Sequence, residues 1–595
     1  LNRYFDPFWA WGSRTQNPLY DATLGNVEES GYTEIINNFS IEWKILPALT
    51  LRGQFGLSHK DETYDRYRSP ESSEFKDYTG EQVMRKGTYD FHTGKSNTYE
   101  GNLTLSYSKL FADKHSVYVG LDGSMAQSDG YLYQFNVEGF TNDRPFIGNA
   151  LNYPQNGKPS STESKTRRVG LVANANYVYA NRYYADFSVR TDGSSQFGAK
   201  NRFGTFWSAG IGWNLHREAF LSANDWLNTL RLRLSYGETG SQKFQSWQAL
   251  SIYEYYTDKR YGVRSGSYLK GLGNEDLKWQ VTSQYNVGAE IAVLNNRIKA
   301  NFDYYVKKTN NLLSTMDLPH STGFSSYMEN IGEVQNIGYE ASVNGYLIRD
   351  TEREIVLMLS AKLTYNRDKI TKLSEDIKHQ TEETLKKGAD INYLFYEGRS
   401  QNSLYAVRSL GIDPSSGQEM FLDKDGKPTF DWAPSDKVYM GVNEPLYNGN
   451  AGLMFGWKDL TVNLSFGYHW GGKQYNSTLL DKVEVTKETI EKSNVDRRVL
   501  ADRWMREGDV VFFKGLSNTA TRATSRFVMK DNVFELQSAN VQYKWHAPYL
   551  KRMGLQTVTF AVNMSDLFYL SSVKRERGTS FPFARTVGAS VSLLF

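Results

Sequence analysis

The sequence contains no cysteine among its 595 residues. This absence excludes disulfide bonds, thiolate metal sites and cysteine catalysis together. No stretch approaches the roughly 20 consecutive apolar residues of a membrane-spanning helix, so a helical membrane protein is excluded as well. The formal net charge is only +3, which is too small for a chain of this length to indicate a nucleic-acid partner. The length of the chain is compatible either with several globular domains or with one very large β architecture.

Catalytic and metal-binding motifs are also lacking. The eight histidines are scattered along the chain and never stand at ligand spacing. There is no nucleophile elbow and no phosphate-binding loop. The stretch DKDG at 423–426 resembles part of a calcium loop but lacks the remaining ligands, so we expect a hairpin turn with Gly426 at positive φ. The sequence therefore indicates a protein that is not an enzyme, and it predicts neither a cofactor nor a metal.

What the chain has in abundance is aromatic residues, at 14%, and apolar residues at every second position. The last strand is an example, because Val587, Ala589, Val591, Leu593 and Phe595 alternate with mainly small or polar residues. A period of two is typical of a strand with one apolar and one wet face. The wet faces of other such strands carry Lys, Asp, Asn and Ser, which cannot form a dry core. They suit a wide, water-lined lumen.

Short and long connections alternate down the chain. Short links are expected near positions 47, 113, 181, 295, 458 and 550, with two somewhat longer ones at LHREAFLSANDWLN and LIRDTERE. Long polar stretches lie at about 59–98, 127–163, 238–277, 369–449 and 471–533. This pattern predicts an all-β fold, a transmembrane antiparallel β-barrel of about seventeen strands with its short turns at one end. The terminal Phe595 would then lie in the aromatic girdle at the periplasmic interface.

The long loops contain the candidate nutrient contacts. Aromatic faces stack on sugar rings and also bind peptides, so we select the aromatic residues of the loops and strand ends, with one arginine. These are Tyr393, Tyr396, Tyr405, Arg408, Trp432, Trp470 and Tyr475. A place in the membrane girdle or in loop packing stays open for each of them. The charged stretch KVEVTKETIEKSNVDRRVLADRWMREGD predicts a solvated helix on one of these loops.

The stretch RTDGSSQFGAKNRFGTFWSAGIGWNL resembles a motif of the SusC-like family of TonB-dependent outer-membrane transporters. The residues that carry this resemblance are Arg190, Asp192, Gly193, Ser194, Ser195, Phe197, Asn201, Arg202, Gly204, Phe206, Ser208, Gly212 and Trp213. Further stretches resemble the family in the same order, including NEDLKWQ, NIGEVQNIGYE, GIDPSSGQEMFLDKDG, DRWMREGD and TRATSRFVMKDNVFELQSANVQY. The run VNMSDLF departs from the Gly-Gln-Asn-Leu-like run that is usual there.

We expect these motif residues to be structural rather than catalytic. Asp192, Gly193 and the two serines after them predict a strand-to-loop turn. Arg190 and Arg202 are expected to pair with carboxylates or backbone carbonyls. Glycines such as Gly204 allow tight packing in the barrel. A direct contact between Asp192 and the substrate is the alternative.

The resemblance implies a barrel of 22 strands, a plug domain and a TonB box ahead of it. On that basis residues 1–33 are the tail of an extracellular loop, and residues 34–595 are the C-terminal part of the barrel with its long extracellular loops. The plug and the first five strands would come from a separate chain or from a segment outside this sequence. We therefore expect strands 34–45 and 583–595 each to pair with a segment that this sequence does not contain, since an unpaired strand edge in lipid is costly.

The resemblance also implies a function. It predicts import of an oligomeric nutrient, an oligosaccharide or an oligopeptide with a glycan favoured, across the outer membrane of a Gram-negative bacterium. The implied partners are a SusD-like surface lipoprotein that acts as a lid and TonB, which would act through the N-terminal part. A passive porin or an adhesin-type barrel is the alternative, while a surface enzyme has no support in the motifs.

Overall fold

In a computed structural model, the described residues are 4–5, 15–154, 157–242, 249, 251–318, 322–324, 326–330, 332–387, 394–574 and 585–595. Within them, seventeen antiparallel strands follow one another around a barrel wall. The first nine are β1 Val27–Leu46, β2 Leu49–Arg68, β3 Thr88–Phe111, β4 His115–Glu138, β5 Ser160–Tyr179, β6 Tyr183–Ser194, β7 Phe203–Asn214, β8 Leu227–Ser241 and β9 Gln280–Val293. The others are β10 Ile298–Asn310, β11 Gly332–Asp350, β12 Ile355–Leu373, β13 Tyr447–Trp457, β14 Leu460–Tyr475, β15 Val528–Trp545, β16 Thr557–Ser571 and β17 Thr586–Leu594.

The connections confirm the alternation that the sequence predicts. Each strand pairs with its neighbours in the chain, from β1–β2 through β16–β17. The six short links near 47, 113, 181, 295, 458 and 550 all join strands at one end of the wall, together with the links 215–226 and 351–354. The longer connections join strands at the other end. By the arrangement of outer-membrane barrels, the short-turn end is periplasmic and the long-loop end is extracellular.

The register keeps apolar side chains on the outer face along the wall. Val343 of β11 faces Ala361 of β12, and Ala361 faces Ala451 of β13. On this face many large apolar side chains are exposed, among them Ile41, Leu103, Leu171, Ile211, Val343 and Leu593. A soluble protein rarely exposes an apolar band of this extent. This band is therefore suited to contact with membrane lipid.

Two aromatic belts border the apolar band. Near the long loops, the rings of Tyr339, Tyr365, Tyr447 and Trp470 are in contact across four neighbouring strands, with centroids 5.0, 5.1 and 5.3 Å apart. Near the short turns, the ring contacts run through His115, Tyr179, Tyr183 and Trp213. Ten residue steps separate the start of β12 from Tyr365, which is about 25 Å at 3.3 Å per residue and a tilt near 40°. We call the first set the extracellular belt.

Several strands are longer than the sequence predicts. β3 and β4 have 24 residues each, although about 9–11 suffice to span a bilayer. Much of the polar stretches 59–98 and 127–163 is therefore strand rather than loop. Beyond the membrane both faces are wet, so the hydrophobic alternation ends while the ladder of backbone hydrogen bonds continues. For the same reason β1 begins at Val27, and residues 27–33 belong to the wall instead of the predicted loop tail.

One junction in the wall differs from the others. β1 and β17 are neighbours in the order around the barrel, but within the described residues no ladder register joins them. They run in the same direction, and nearly all of their residues are exposed. We call this junction the seam. The strand order nevertheless closes at this seam. The expectation that each of these two strands pairs with a segment outside this chain is therefore wrong for this structure, because the two edges lie next to each other instead.

The segment before β1 and the longer connections contain small elements of their own. Short strand pairs are Tyr4–Phe5 with Thr15–Gln16, Ile252–Tyr261 with Arg264–Gly271, and Leu313–Asp317 with Ser326–Asn330. A four-stranded sheet comprises Pro428–Thr429, Glu419–Leu422, Ser403–Ile412 and Lys437–Val442. The α-helices are Pro18–Asp21, Glu375–Lys387, Ser477–Val483 and Lys487–Lys492. None of the described helices is long and apolar enough to cross a bilayer.

Candidate functional site

The inner face of the wall is polar, as the sequence predicts, and its charges are paired. On β8, Arg233 binds Asp303 of β10 with Nη2–Oδ2 and Nη2–Oδ1 distances of 2.7 and 2.8 Å. The pair spans the intervening strand at Gly288, where a Cβ atom would overlap both side chains. Lys362 and Glu340 form another pair at 3.4 Å. Such a surface is suited to a water-filled passage.

Above the extracellular end, the two longest connections, 374–446 and 476–527, pack into one body that we call the loop core. Backbone hydrogen bonds link them at Gly515 N to Gly417 O (3.0 Å) and at Gly508 N to Pro414 O (2.9 Å). The Ser525 hydroxyl accepts a hydrogen bond from the backbone N–H of Ser409 at 2.9 Å. These contacts position the loop side chains relative to the barrel mouth.

A buried ion-pair triad lies at the centre of the loop core. The guanidinium of Arg526 binds both carboxylate oxygens of Glu419, at 3.1 and 2.9 Å, and donates to Glu484 at 2.6 Å. The three side chains are 4%, 5% and 0% exposed. Hydroxyls of Thr524 and Thr521 donate to the two carboxylates, each at 2.8 Å. The buried charges are thus compensated and hydrogen-bonded, which is what makes their burial tolerable.

The stretch DRWMREGD contributes a second set of contacts to the loop core. Buried Arg503 donates to the backbone carbonyls of Val483, Val499 and Lys514. The neighbouring Trp504 ring packs against glycine 417 of the other loop. That glycine has φ +70°, and a Cβ there would lie 2.5 Å from Cε3 of the indole. The predicted solvated helix is therefore wrong in extent. Only Ser477–Val483 and Lys487–Lys492 are α-helical among the described residues of this loop, followed by one 3-10 turn at Arg497–Leu500, because the chain beyond them turns inward to bury these side chains.

A cavity of about 820 Å³ opens between the two halves of the loop core. Aromatic and basic side chains line it, notably Phe430, Trp432, Trp504, Lys514 and Arg522. Burial lowers the pKa of the Lys514 ammonium. The Trp432 indole donates to the carbonyl of Ala523 at 3.2 Å, and the Arg522 guanidinium lies 5.8 Å from its ring centroid. This volume is typical of small-molecule sites, and the lining offers stacking faces together with hydrogen-bond donors.

Three of the predicted nutrient contacts lie on accessible parts of the loops. Trp432 borders the 820 Å³ cavity. Arg408 and Tyr396 are exposed on the loop core. Tyr393 lies outside the described residues. Exposure makes a nutrient contact feasible for the first three, and their role stays a prediction.

The other three candidates lie where the alternative interpretation places them, in loop packing or in the membrane girdle. Tyr405 is 6% exposed and packs between the rings of Tyr396 and Tyr439, where burial raises its pKa to about 12. Tyr475 packs edge-on against buried Phe527 at 6.1 Å. Both are part of loop packing. Trp470 belongs to the extracellular belt on the outer face, because its register with Tyr447 turns it away from the lumen.

The first motif residues lie at the end of β6. Arg190 and Asp192 form an ion pair at 2.5 Å, which confirms the pairing predicted for Arg190. β6 continues to Ser194, so the strand-to-loop turn begins later than predicted. Gly193 is covered by a ring, since a Cβ there would lie 2.5 Å from Cε1 of Phe203.

The remaining motif residues connect β7 with the loop before β9. The Asn201 amide donates to the carbonyl of Asp276, and its own carbonyl accepts from the Trp279 indole, both at 3.2 Å. The Trp279 ring also covers Gly204, because a Cβ atom at that glycine would lie 3.1 Å from Cδ1 of the indole. Arg202 is exposed. Among the described residues neither a carboxylate at ion-pair distance nor a hydrogen bond from its side chain to a backbone carbonyl is found, so its predicted pairing is not observed. Trp213 belongs to the aromatic belt near the short turns, where its indole donates a hydrogen bond to the Glu218 carboxylate at 3.1 Å.

The residues that build the loop core are the ones that sequence reasoning missed. Glu419, Trp504 and Arg526 stand in stretches that resemble the family, GIDPSSGQEM, DRWMREGD and TRATSRF. The order of these three family-like stretches was the one signal in the sequence that could have pointed to the loop core. Sequence spacing cannot show that they meet, since Arg526 and Glu419 are 107 positions apart. The DKDG stretch, by contrast, forms the predicted hairpin turn, with Gly426 at φ +78°.

Comparison with known proteins gives a consistent result. The family model described as "TonB dependent receptor-like, beta-barrel" matches residues 1–480. The chain is 28% identical over 483 residues to the TonB-dependent receptor SusC of Bacteroides thetaiotaomicron, which covers 76% of this chain and 46% of that protein. It is 27% identical over 596 residues to TonB-dependent receptor P3 of Formosa agariphila, covering 93% and 55%. The chain thus spans about half the length of the curated relatives it matches.

Solved structures show the same fold. A structure of the RagAB peptide transporter superimposes with a TM-score of 0.84 at 21% identity, covering 97% of this chain and 62% of that one. The RagAB peptide importer in its "open-open" state gives a TM-score of 0.85, with coverages of 100% and 64%. At this level of identity the likeness concerns the fold alone.

Proposed function

The chain belongs to the TonB-dependent receptor β-barrel family, as a SusC-like member, and from this premise we propose that it forms the wall of an importer for oligomeric nutrients. The match of the family's barrel model to residues 1–480 carries the proposal. A polar lumen with paired charges and a loop core above it support a passage that is covered from outside. The location that follows from the family is the outer membrane.

The proposed importer works with two partners. A SusD-like lipoprotein would close over the extracellular loops, and TonB would supply energy from the inner membrane, because the outer membrane holds no nucleotide supply. The likeness to the TonB-dependent receptor SusC supports this choice of partners. TonB itself would act through a plug that residues outside this chain contribute.

For the cargo we propose a glycan rather than a peptide. The supporting observation is the loop-core cavity, where Trp432 and Phe430 present aromatic faces beside Arg522. Sugar rings stack on such faces, and the basic side chains can donate to hydroxyl or carboxylate oxygens. Oligopeptides use the same chemistry, so the two cargo classes must be compared directly in one uptake assay.

Energy dependence tests the transporter proposal. Cells that carry the intact protein are given labelled oligosaccharides and oligopeptides, with and without an agent that collapses the proton-motive force. We expect uptake of one class to stop after the collapse. Undiminished accumulation would refute the proposal and favour the passive porin, whereas surface binding without any uptake would favour an adhesin.

A matched pair of tryptophan variants tests the cargo site. Trp432→Ala removes a ring from the loop-core cavity, and we expect the apparent KM for the glycan to rise about fivefold, since stacking on an aromatic face contributes about 1 kcal/mol. Trp470→Ala removes a ring of the same size from the lipid-facing belt and should leave KM unchanged. Equal effects of the two variants would contradict a nutrient contact at Trp432.

A further inference from the structure

Three basic side chains surround a second cavity, of about 410 Å³, at the extracellular end of β12. Two of them follow from the register. Tyr365 belongs to the extracellular belt on the outer face, and side chains two residues apart on a strand share a face. Arg367 and Lys369 therefore continue the outward-facing row beyond Tyr365. Both are exposed.

A loop segment contributes the third basic side chain. The backbone N–H of Ile370 donates to the carbonyl of Arg399, and the N–H of Gly398 donates to the carbonyl of Ile370, both at 2.8 Å. These two bonds extend the sheet beyond the end of β13 and bring Arg399 next to β12. Its guanidinium lies 4.3 Å from the centroid of the Tyr439 ring, which also lines the cavity.

These three cations differ from two outward-facing lysines of other extracellular strand extensions. Elsewhere the described residues pair Lys95 with Asp61 at 3.6 Å, and Lys165 with Asp129 at 3.4 Å. No described carboxylate is at ion-pair distance from the three cations of this cavity. An arrangement of unpaired like charges is unfavourable by itself, so it points to an anion that is bound from outside.

Two carboxyl groups line the same cavity, but they are outnumbered by the three cations, and neither is at ion-pair distance from them. Asp368 is 8% exposed and already accepts hydrogen bonds from the Ser400 hydroxyl and from the backbone N–H of Gln401. Burial, together with the negative charge of Asp368, raises the pKa of Glu444. The cavity therefore keeps an excess of positive charge.

The height of the cavity on the barrel identifies the layer that it faces. The extracellular belt marks the boundary of the hydrocarbon core. At about 3.3 Å per residue, Arg367 and Lys369 lie roughly 7 and 13 Å along the strand beyond the belt. At a strand tilt near 40°, these lengths correspond to rises of about 5 and 10 Å above the belt. The headgroup layer adds about 5–7 Å on each side of the hydrocarbon core. Arg367 therefore lies within the headgroup layer of the outward-facing leaflet, while Lys369 and Arg399, which is bonded beside Ile370, lie at its outer border, from which long basic side chains can reach into it.

We propose that Arg367, Lys369 and Arg399 form a binding site for the phosphorylated headgroup of a glycolipid in the outer leaflet. Guanidinium and ammonium groups are the side chains best suited to phosphate oxygens. Basic pockets next to the membrane surface recognise anionic headgroups in the same way. The aromatic belt directly below fixes the height of these cations relative to the membrane interface. The site faces lipid and is separate from the nutrient path through the lumen.

The test measures lipid binding to the transporter purified in its intact assembly and stripped of lipid. The probes are phosphorylated lipid A, the same lipid with its phosphates removed, and inorganic phosphate. We expect the phosphorylated lipid to bind at least tenfold more tightly than the other two. Combined Arg367→Gln, Lys369→Gln and Arg399→Gln substitutions should remove that preference.

Control variants keep the test decisive even if the triple variant is unstable. Lys95→Gln and Lys165→Gln remove outward-facing cations that already have carboxylate partners, and they should leave the preference unchanged. Arg367→Lys keeps the charge and should retain most of the binding. Equal affinity for both forms of the lipid would overturn the proposal. Inorganic phosphate that binds as tightly as the phosphorylated lipid would show a free-anion site and would overturn it too.

Discussion

Removing the charge of Arg526 should open the loop core while leaving the barrel intact. In Arg526→Gln, Glu419 and Glu484 lose the cation that compensates them, although both stay buried. Removal of one partner from a buried ion pair costs about 3–5 kcal/mol, because an uncompensated charge is left in a low-dielectric surrounding. At about 1.4 kcal/mol per factor of ten, the population of opened loops should rise by roughly two to three and a half orders of magnitude.

Hydrogen exchange measured by mass spectrometry can detect this opening locally. Loop openings and global unfolding have separate free energies in one protein, and exchange reports them segment by segment. Peptides from 403–422 and 477–527 should lose protection in the variant. Peptides from the wall strand β14 should keep theirs, because the triad makes no contact with the membrane-spanning ladder.

Two further variants separate the triad from a general loss of positive charge. Arg522→Gln removes an exposed arginine from the same segment and should change protection less than threefold. Arg526→Lys keeps the charge but cannot bind Glu419 with two parallel hydrogen bonds, so an intermediate loss is expected. If Arg522→Gln and Arg526→Gln lower protection equally, the buried triad does not hold the loops together.

Other perturbations should act through single contacts. Gly417→Ala should destabilise the loop core by more than 2 kcal/mol, on the order of a strained left-handed residue plus a clash with Trp504; Gly426→Ala, at a similar φ but in open space, should cost about 1 kcal/mol, as thermal melts of the loop fluorescence can show. Neighbouring hydrogen bonds lower the pKa of Asp496 to about 2. Its contribution to the stability of the loop core is therefore complete above pH 4 and is lost as the pH falls towards 2, which limited proteolysis can measure as a loss of protease resistance. Asp496→Asn should abolish that acid-dependent loss. Trp470→Ala should lower the melting temperature of the barrel in lipid bilayers, and an unchanged value would contradict its place in the belt.

The wall could be predicted from the sequence because its information is local. In a meander each strand pairs with its neighbours in the chain, so periodicity within a strand and the length of each connection suffice for strand number and order. Polar faces such as Lys299–Asn301–Asp303, interleaved with apolar residues, also indicate a wet lumen from the sequence alone. The strand ends were less predictable. Outside the membrane both faces are wet, and residues such as Lys60 and Lys95 have no hydrophobic period to mark them as strand.

The candidate nutrient contacts show where local information runs out. Trp432, Tyr405 and Trp470 are all aromatic residues in or beside long polar stretches, and their sequence surroundings do not separate them. One lines a cavity, one is buried and one faces lipid. The difference comes from register for Trp470 and from loop packing for the other two. Neither register across a bulge nor packing between distant loops has a periodic signature.

What the sequence alone determined is the barrel: its strand alternation, its short-turn end, its polar lumen and its family, all set by residues that are close together in the chain. Only the tertiary structure decided the loop core, the two cavities and the identity of the accessible side chains. Glu419 and Arg526 meet across 107 positions, and Arg399 reaches β12 through two backbone hydrogen bonds from a loop. Such contacts depend on which buried charges and rings can be satisfied together, and that is a property of the packed chain rather than of any one stretch of it.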